Sequence, residues 1–166
     1  MTGLNISQIK NFVVVPVCAQ LAIANPKLNS PSSVALILGI ANKESLGLSC
    51  IRQLDGGPAR GLCQMEPATR LDLMGRQLAA KGNETMLAAL LALIPVGADP
   101  DEQMMTNMNF MFAACRLRMW FEPEALPTET DAAGLCQYWK TYWNTSAGAG
   151  VVDQPTIAYF KEAISA

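Results

Sequence analysis

The stretch from Pro31 to Ser45 restricts the possible folds of this chain more than any other. Val34, Leu36, Ile37, Leu38, Ile40 and Ala41 surround most of the circumference of a helix. The segment Asn29-Ser30-Pro31-Ser32-Ser33 supplies capping side chains and a proline start for it. A helix that is apolar on nearly all sides has no face to give to water. It must run through the centre of a domain with other elements packed round it. Its last turn, Asn42-Lys43-Glu44-Ser45, then carries one carboxylate to the edge of that core.

Composition agrees with a helical domain. The 166 residues are 51% hydrophobic and 16% charged, enough for one domain, residues 1–166, with a core of its own. Alanine, leucine and methionine outweigh the β-branched residues that strands prefer. The fold class expected is mainly α, a single domain with at most a small β element within residues 47–66. A net charge of −2, with no basic run, gives no basis for nucleic-acid recognition. The chain has no histidine, which excludes His-based triads and most zinc sites. Acid–base chemistry at neutral pH falls to carboxylate, lysine, tyrosine or cysteine. No metal and no cofactor is expected.

Along the chain, Ile6 to Ala24 reads as an apolar helix strained or kinked at Pro16 and ended by Asn25-Pro26. The run Phe12 to Ala24 is short for a bilayer span and holds Pro16 and Gln20, so it is read as a buried first helix rather than a leader or a membrane segment. Gly47 to Arg60 lacks helical periodicity, and Asp55-Gly56-Gly57-Pro58 is a turn. The residue before Pro67 is biased to extended backbone, so Gln64 to Glu66 is expected to be extended, with Gln64 and Glu66 on one side and Met65 on the other. Helices are expected from Pro67 to Ala80, Glu84 to Ile94, Glu102 to Phe121, Asp131 to Tyr142, and from Pro155 onward. Glu122 to Pro127 is a stiff connector, and Ser146 to Gly150 a flexible loop. Met104, Met108, Met111 and Met119 fall on a core-facing stripe.

Five cysteines, Cys18, Cys50, Cys63, Cys115 and Cys136, are widely spaced without a C-x-x-C. They read as buried thiols. Cys50 and Cys63 bracket the polar loop, and a bridge between them would restrict it by about 3 kcal/mol of chain entropy; the sequence leaves that pairing open.

Glu44 is the residue with chemical promise. The negative end of the helix dipole and a desolvating wall both disfavour its charge and raise its pKa. A carboxylic acid that keeps its proton near neutrality suits general-acid attack on a glycosidic oxygen.

Three segments in order, Glu44-Ser45, then Gly61-Leu62-Cys63-Gln64-Met65-Glu66-Pro67-Ala68-Thr69, then Tyr142-x-Asn144 before a glycine-bearing stretch, resemble the signature of lytic transglycosylases and goose-type lysozymes. Arg52-Gln53 and Tyr138-Trp139-Lys140 extend the likeness toward small lysozyme-like virion proteins of tailed bacteriophages. The likeness covers residues 31–150, and its third segment carries one residue more than the family's Tyr-Asn-Ala-Gly pattern. It implies a lysozyme-like fold with a glycan cleft and cleavage of bacterial peptidoglycan. Glu44 would be the catalytic acid. Gln64, with Met65 and Glu66 beside it, would contact the sugar; Ser45 would support the helix end; Tyr142 and Asn144 would line the cleft, with Tyr138 an alternative source of the ring. Asp55 and Glu66 are the candidates for a second carboxylate. The implied setting is a phage particle, made in the host cytoplasm and acting on the host wall from the periplasm, with other virion proteins as partners. The alternative is a structural virion protein that keeps the fold with little activity. No membrane span is expected.

Overall fold

A computed structural model describes residues 3–166. Its elements are helical, and among these residues the only β pairing is a pair of isolated antiparallel bridges, Arg52 with Arg60 and Arg60 with Met65. We number the helices in chain order. α1 runs from Ile6 to Ala24 and includes a π-helical turn, Lys10–Val14. α2 is Pro31–Glu44. α3 is Pro67–Asp72, continued by a π turn, Leu73–Gln77. α4 is Glu84–Leu91, α5 Pro100–Thr106 and α6 Met108–Trp120. α7 is Ala132–Trp139, continued by a π turn, Lys140–Asn144, and α8 is Gln154–Ser165.

α2 occupies the place its sequence demands. Every residue from Ser33 to Asn42 is buried. The helix starts with a capping box: Ser30 Oγ accepts the Ser33 N–H at 3.1 Å, and Ser33 Oγ accepts the Ser30 N–H at 2.9 Å. α1, α6, α7 and α8 all pack on it, α8 most extensively. That closeness depends on Gly39, where a β-carbon would overlap the Phe160 ring of α8. Asn42, buried near the end of α2, donates to Tyr159 O and Glu162 Oε2 of α8, both at 3.0 Å. The result is an α2 terminus that cannot shift, which fixes the position of Glu44.

α6 is the second buried helix, with Phe110 to Leu117 and Met119 enclosed. Three of the four methionines of the expected stripe, Met104, Met111 and Met119, are core, whereas Met108, at the start of α6, is exposed. Arg116 is a buried cation without a carboxylate partner among the described residues. It donates instead to Leu28 O at 2.8 Å and Lys27 O at 3.1 Å, satisfying carbonyls of the short turn that follows α1.

The distortion expected around Pro16 takes the form of a π turn just upstream, in which the Val15 N–H reaches Lys10 O. Two local expectations are revised. The helix expected from Glu102 to Phe121 is two, broken at Asn107, whose backbone is extended and whose Oδ1 accepts the Phe110 N–H to cap α6. α1 is only half-buried: Val14, Val17, Cys18 and Leu21 face the core, whereas Phe12 and Ile23 are 77% and 87% exposed. The helix has the length and apolarity of a membrane span, but its inner face belongs to the core.

Replacing Gly39 by alanine is expected to lower unfolding free energy by about 1–3 kcal/mol, because the ring of Phe160 must be pushed off its packing site. Denaturant unfolding of the two proteins reads this directly.

Candidate active site

The last turn of α2 opens into a cleft of about 720 Å³, of a size that suits a small ligand or a short oligomer segment. Glu44 lies at its inner wall. Gln64, Met65 and Glu66, from the segment entering α3, line it, as do Tyr142 and Asn144 from the π turn that ends α7. Six of the residues singled out in the sequence therefore meet in one place. Two do not. Ser45 is buried beneath the helix end and donates to Ala41 O at 2.6 Å, and Tyr138 is buried with its hydroxyl donating to Glu124 O at 3.0 Å. Tyr142 stacks on Tyr138, ring centroids 4.6 Å apart, so Tyr138 backs the cleft ring rather than supplying it.

Glu44 is half-buried, and desolvation raises the pKa of its carboxyl above the ordinary carboxylate value. Two weaker effects oppose it. Trp139 Nε1–H donates to Oε1 at 2.6 Å, and the Lys43 ammonium favours the charged form. Desolvation is the largest of the three, so the net shift is upward. Trp139 is fully buried.

The other carboxylates on the cleft are different. Glu66 and Asp55 are exposed, and neither accepts a side-chain hydrogen bond among the described residues. Glu66 occupies the N-cap position of α3 without making a cap bond. Arg118 also reaches the cleft and is ion-paired with Glu122 one turn later in the chain.

Gln64 corrects an expectation. It is not extended but lies at φ 50°, in the left-handed region, whereas Met65 bridges antiparallel to Arg60 and Glu66 has extended backbone. In this turn the Gln64 side-chain amide donates to Gly61 O at 2.7 Å, which leaves its carbonyl oxygen free of that contact at the cleft. Gly61 is needed: at φ 73°, with a β-carbon that would run into Met104 O and Met111, no other residue fits. Trp143 ties this turn to the opposite wall by donating to Cys63 O at 3.2 Å.

Backbone strain concentrates here. Five non-glycine residues among those described have positive φ, and four of them, Leu46, Asp55, Gln64 and Thr145, line the cleft. Thr145, at φ 61° and ψ 178°, sits where almost only glycine is comfortable. It is held by Lys140, whose ammonium donates to Asn144 Oδ1 at 2.8 Å, Thr145 O at 2.7 Å and Gly148 O at 2.9 Å. All three donors of the ammonium are used, and Asn144 Oδ1 also accepts the Gly150 N–H at 3.1 Å. The loop that sequence marked as flexible is thus fastened from within.

All five cysteines are free thiols, so Cys50 and Cys63 are not bridged. No group of three or more His, Cys, Asp or Glu among the described residues could hold a metal ion. Trp139 and Lys140 were not recognised as site residues from the sequence. They entered the sequence reading only through the Tyr138-Trp139-Lys140 likeness, with no site role, because the partner of Trp139 lies far away in the chain and two of the three partners of Lys140 are backbone oxygens. Compared with family models, with curated proteins and with solved structures, the chain matches none.

The Glu44 carboxyl has a higher pKa folded than unfolded, where about 4.3 applies. Its contribution to stability is therefore full below the unfolded value and lost as pH rises through the folded one. Glutamine carries no charge at any pH. Glu44→Gln is expected to unfold about 2–4 °C above the wild type at neutral pH, with the gap closing below about pH 4. Calorimetric scans at the two pH values check both the sign and the closure.

Proposed function

We propose that this chain cleaves the glycan backbone of peptidoglycan as a lytic transglycosylase, with Glu44 as its acid and base. The observation that carries this reading is the contrast among the cleft carboxylates. Glu44 alone is desolvated and oriented by a protein donor, while Asp55 and Glu66 are exposed and unrestrained. A hydrolase that activates water needs a second carboxylate held in register across the sugar. A transglycosylase needs one.

In the first step Glu44 gives its proton to the glycosidic oxygen, and the C1–O bond breaks with positive charge developing at C1 of the muramic sugar. In the second, the Glu44 carboxylate takes the proton from the sugar's own C6 hydroxyl, whose oxygen bonds to C1. The products are a free hydroxyl end and a 1,6-anhydro end, no water is consumed, and Glu44 regains its proton. The free carbonyl oxygen of Gln64 and the ring of Tyr142 suit the hydroxyl edges and apolar faces of sugars.

The likeness to the transglycosylase signature gains support from the end of α7. The segment has one residue more than the family pattern, and it is a π turn, in which i→i+5 bonding takes up one extra residue. Tyr142 and Asn144 still reach the cleft together.

A second reading, an assembly role within a virion, is favoured by one observation. Phe12 and Ile23 on α1, and Leu91 and Val96 at and beyond the end of α4, are each exposed, and none of them lines the cleft.

Incubated with purified peptidoglycan, the wild type is expected to release fragments whose masses show anhydro ends, and Glu44→Gln to lose at least about 1000-fold in rate. Reducing ends would mean hydrolysis instead. Equal release by both proteins would remove Glu44 from the chemistry, and no release by either would favour the assembly role.

A further inference from the structure

Among the described residues the indole of Trp139 has a single hydrogen-bond acceptor, Glu44 Oε1 at 2.6 Å. The side chain is fully buried. The Lys43 ammonium lies 5.3 Å from the ring centroid, and the Phe160 ring packs with its centroid at 6.3 Å. On another edge sits Gly150, where a β-carbon would press into the indole. The donor is therefore aimed before any ligand arrives.

We propose that Trp139 is a positioning residue for Glu44: its N–H occupies Oε1 and confines the transferable proton to Oε2. This rests on the reading of Glu44 as the proton donor. A neutral carboxylic acid has one carbonyl oxygen and one hydroxyl. An N–H aimed at Oε1 repels a proton there, so Oε1 is the carbonyl oxygen and Oε2, which has no protein partner among the described residues, is the hydroxyl. When the proton leaves, charge appears on both oxygens and the indole bond strengthens. The interaction is thus greater at the transition state than in the resting acid, the condition for a catalytic gain. The same bond then loosens as the carboxylate recovers a proton from the sugar.

Other ionisable groups surround Glu44. Lys43 precedes it on α2, and the Cys115 thiol of α6 is near enough for the Glu44 charge to raise its pKa. Cys50, Asp55, Glu66 and Tyr142 line the same cleft, with Arg118 paired to Glu122. Among the described residues only Trp139 is hydrogen-bonded to the carboxyl.

The test is Trp139→Phe, which keeps an aromatic ring and removes the donor. Activity of a general acid is lost as pH rises through its pKa. Without the N–H that favours the carboxylate, the alkaline limb of the pH–rate profile is expected to move up by about one pH unit. The rate constant kcat should fall about tenfold with KM within about twofold. A residue that only fills space would lower stability or rate and leave the limb where it was. A folded variant whose limb stays or moves down overturns the proposal. A second measurement needs neither turnover nor the variant: the indole N–H resonance of Trp139 should shift with pH in the wild type and be flat in Glu44→Gln. A resonance that does not titrate, or titrates alike in both, also overturns it. If the wild type releases no glycan while the resonance titrates, the enzymatic reading fails and the Trp139–Glu44 coupling stands.

Discussion

The carboxyl of Glu44 is the point on which the rest of this structure depends. It is attached to the end of a helix buried from Ser33 to Asn42, so it cannot retreat from the apolar surroundings that its own helix creates. Desolvation favours the protonated form, and a single indole N–H at 2.6 Å directs what remains of its freedom. An acid of this kind is poorly stabilised as a carboxylate and correspondingly ready to hold and deliver a proton. The same feature makes the site a cost to the fold at neutral pH, a common tension between stability and function.

Around that point the structure is organised to keep other things still. Gly39 lets α8 lie against α2, and Asn42 bonds two groups of α8 two residues before the acid. Trp143 joins the turn at Cys63 to the end of α7, and Lys140 fastens the loop from Asn144 to Gly150 with all three of its donors. These bonds sustain backbone conformations that cost of order 1–3 kcal/mol each. Four such residues line one cleft and a fifth, Leu48, is buried two residues beyond Leu46. Strain placed this way accords with the preorganised site that the proposed function calls for.

Much of the architecture was legible because it follows from local patterning. An all-round apolar helix has only one place to go, and Ser30 and Pro31 mark its start without ambiguity. The meeting of Gln64, Glu66, Tyr142 and Asn144 around Glu44 was expected from a likeness of motifs rather than from physics. What was not legible depends on contacts between distant residues. Trp139 follows Tyr138 at core-like spacing, and an indole gives no sign that its N–H will find a carboxyl 95 positions earlier. Gln64 looked extended because Pro67 follows, but the bias from a proline reaches only its immediate neighbour, and Gly61 had already set a tight turn. The three π turns were equally hidden, since a one-residue widening leaves the apolar period almost unchanged.

The most direct test of the account is the titration of the Glu44 carboxyl itself, followed by carbon NMR of side-chain-labelled glutamate and assigned by its absence in Glu44→Gln. The unfolded protein serves as the reference, where a glutamate titrates at about 4.3. A Glu44 midpoint clearly above that value is the predicted result, because burial outweighs the indole bond and the Lys43 charge. A midpoint at or below it would contradict the account.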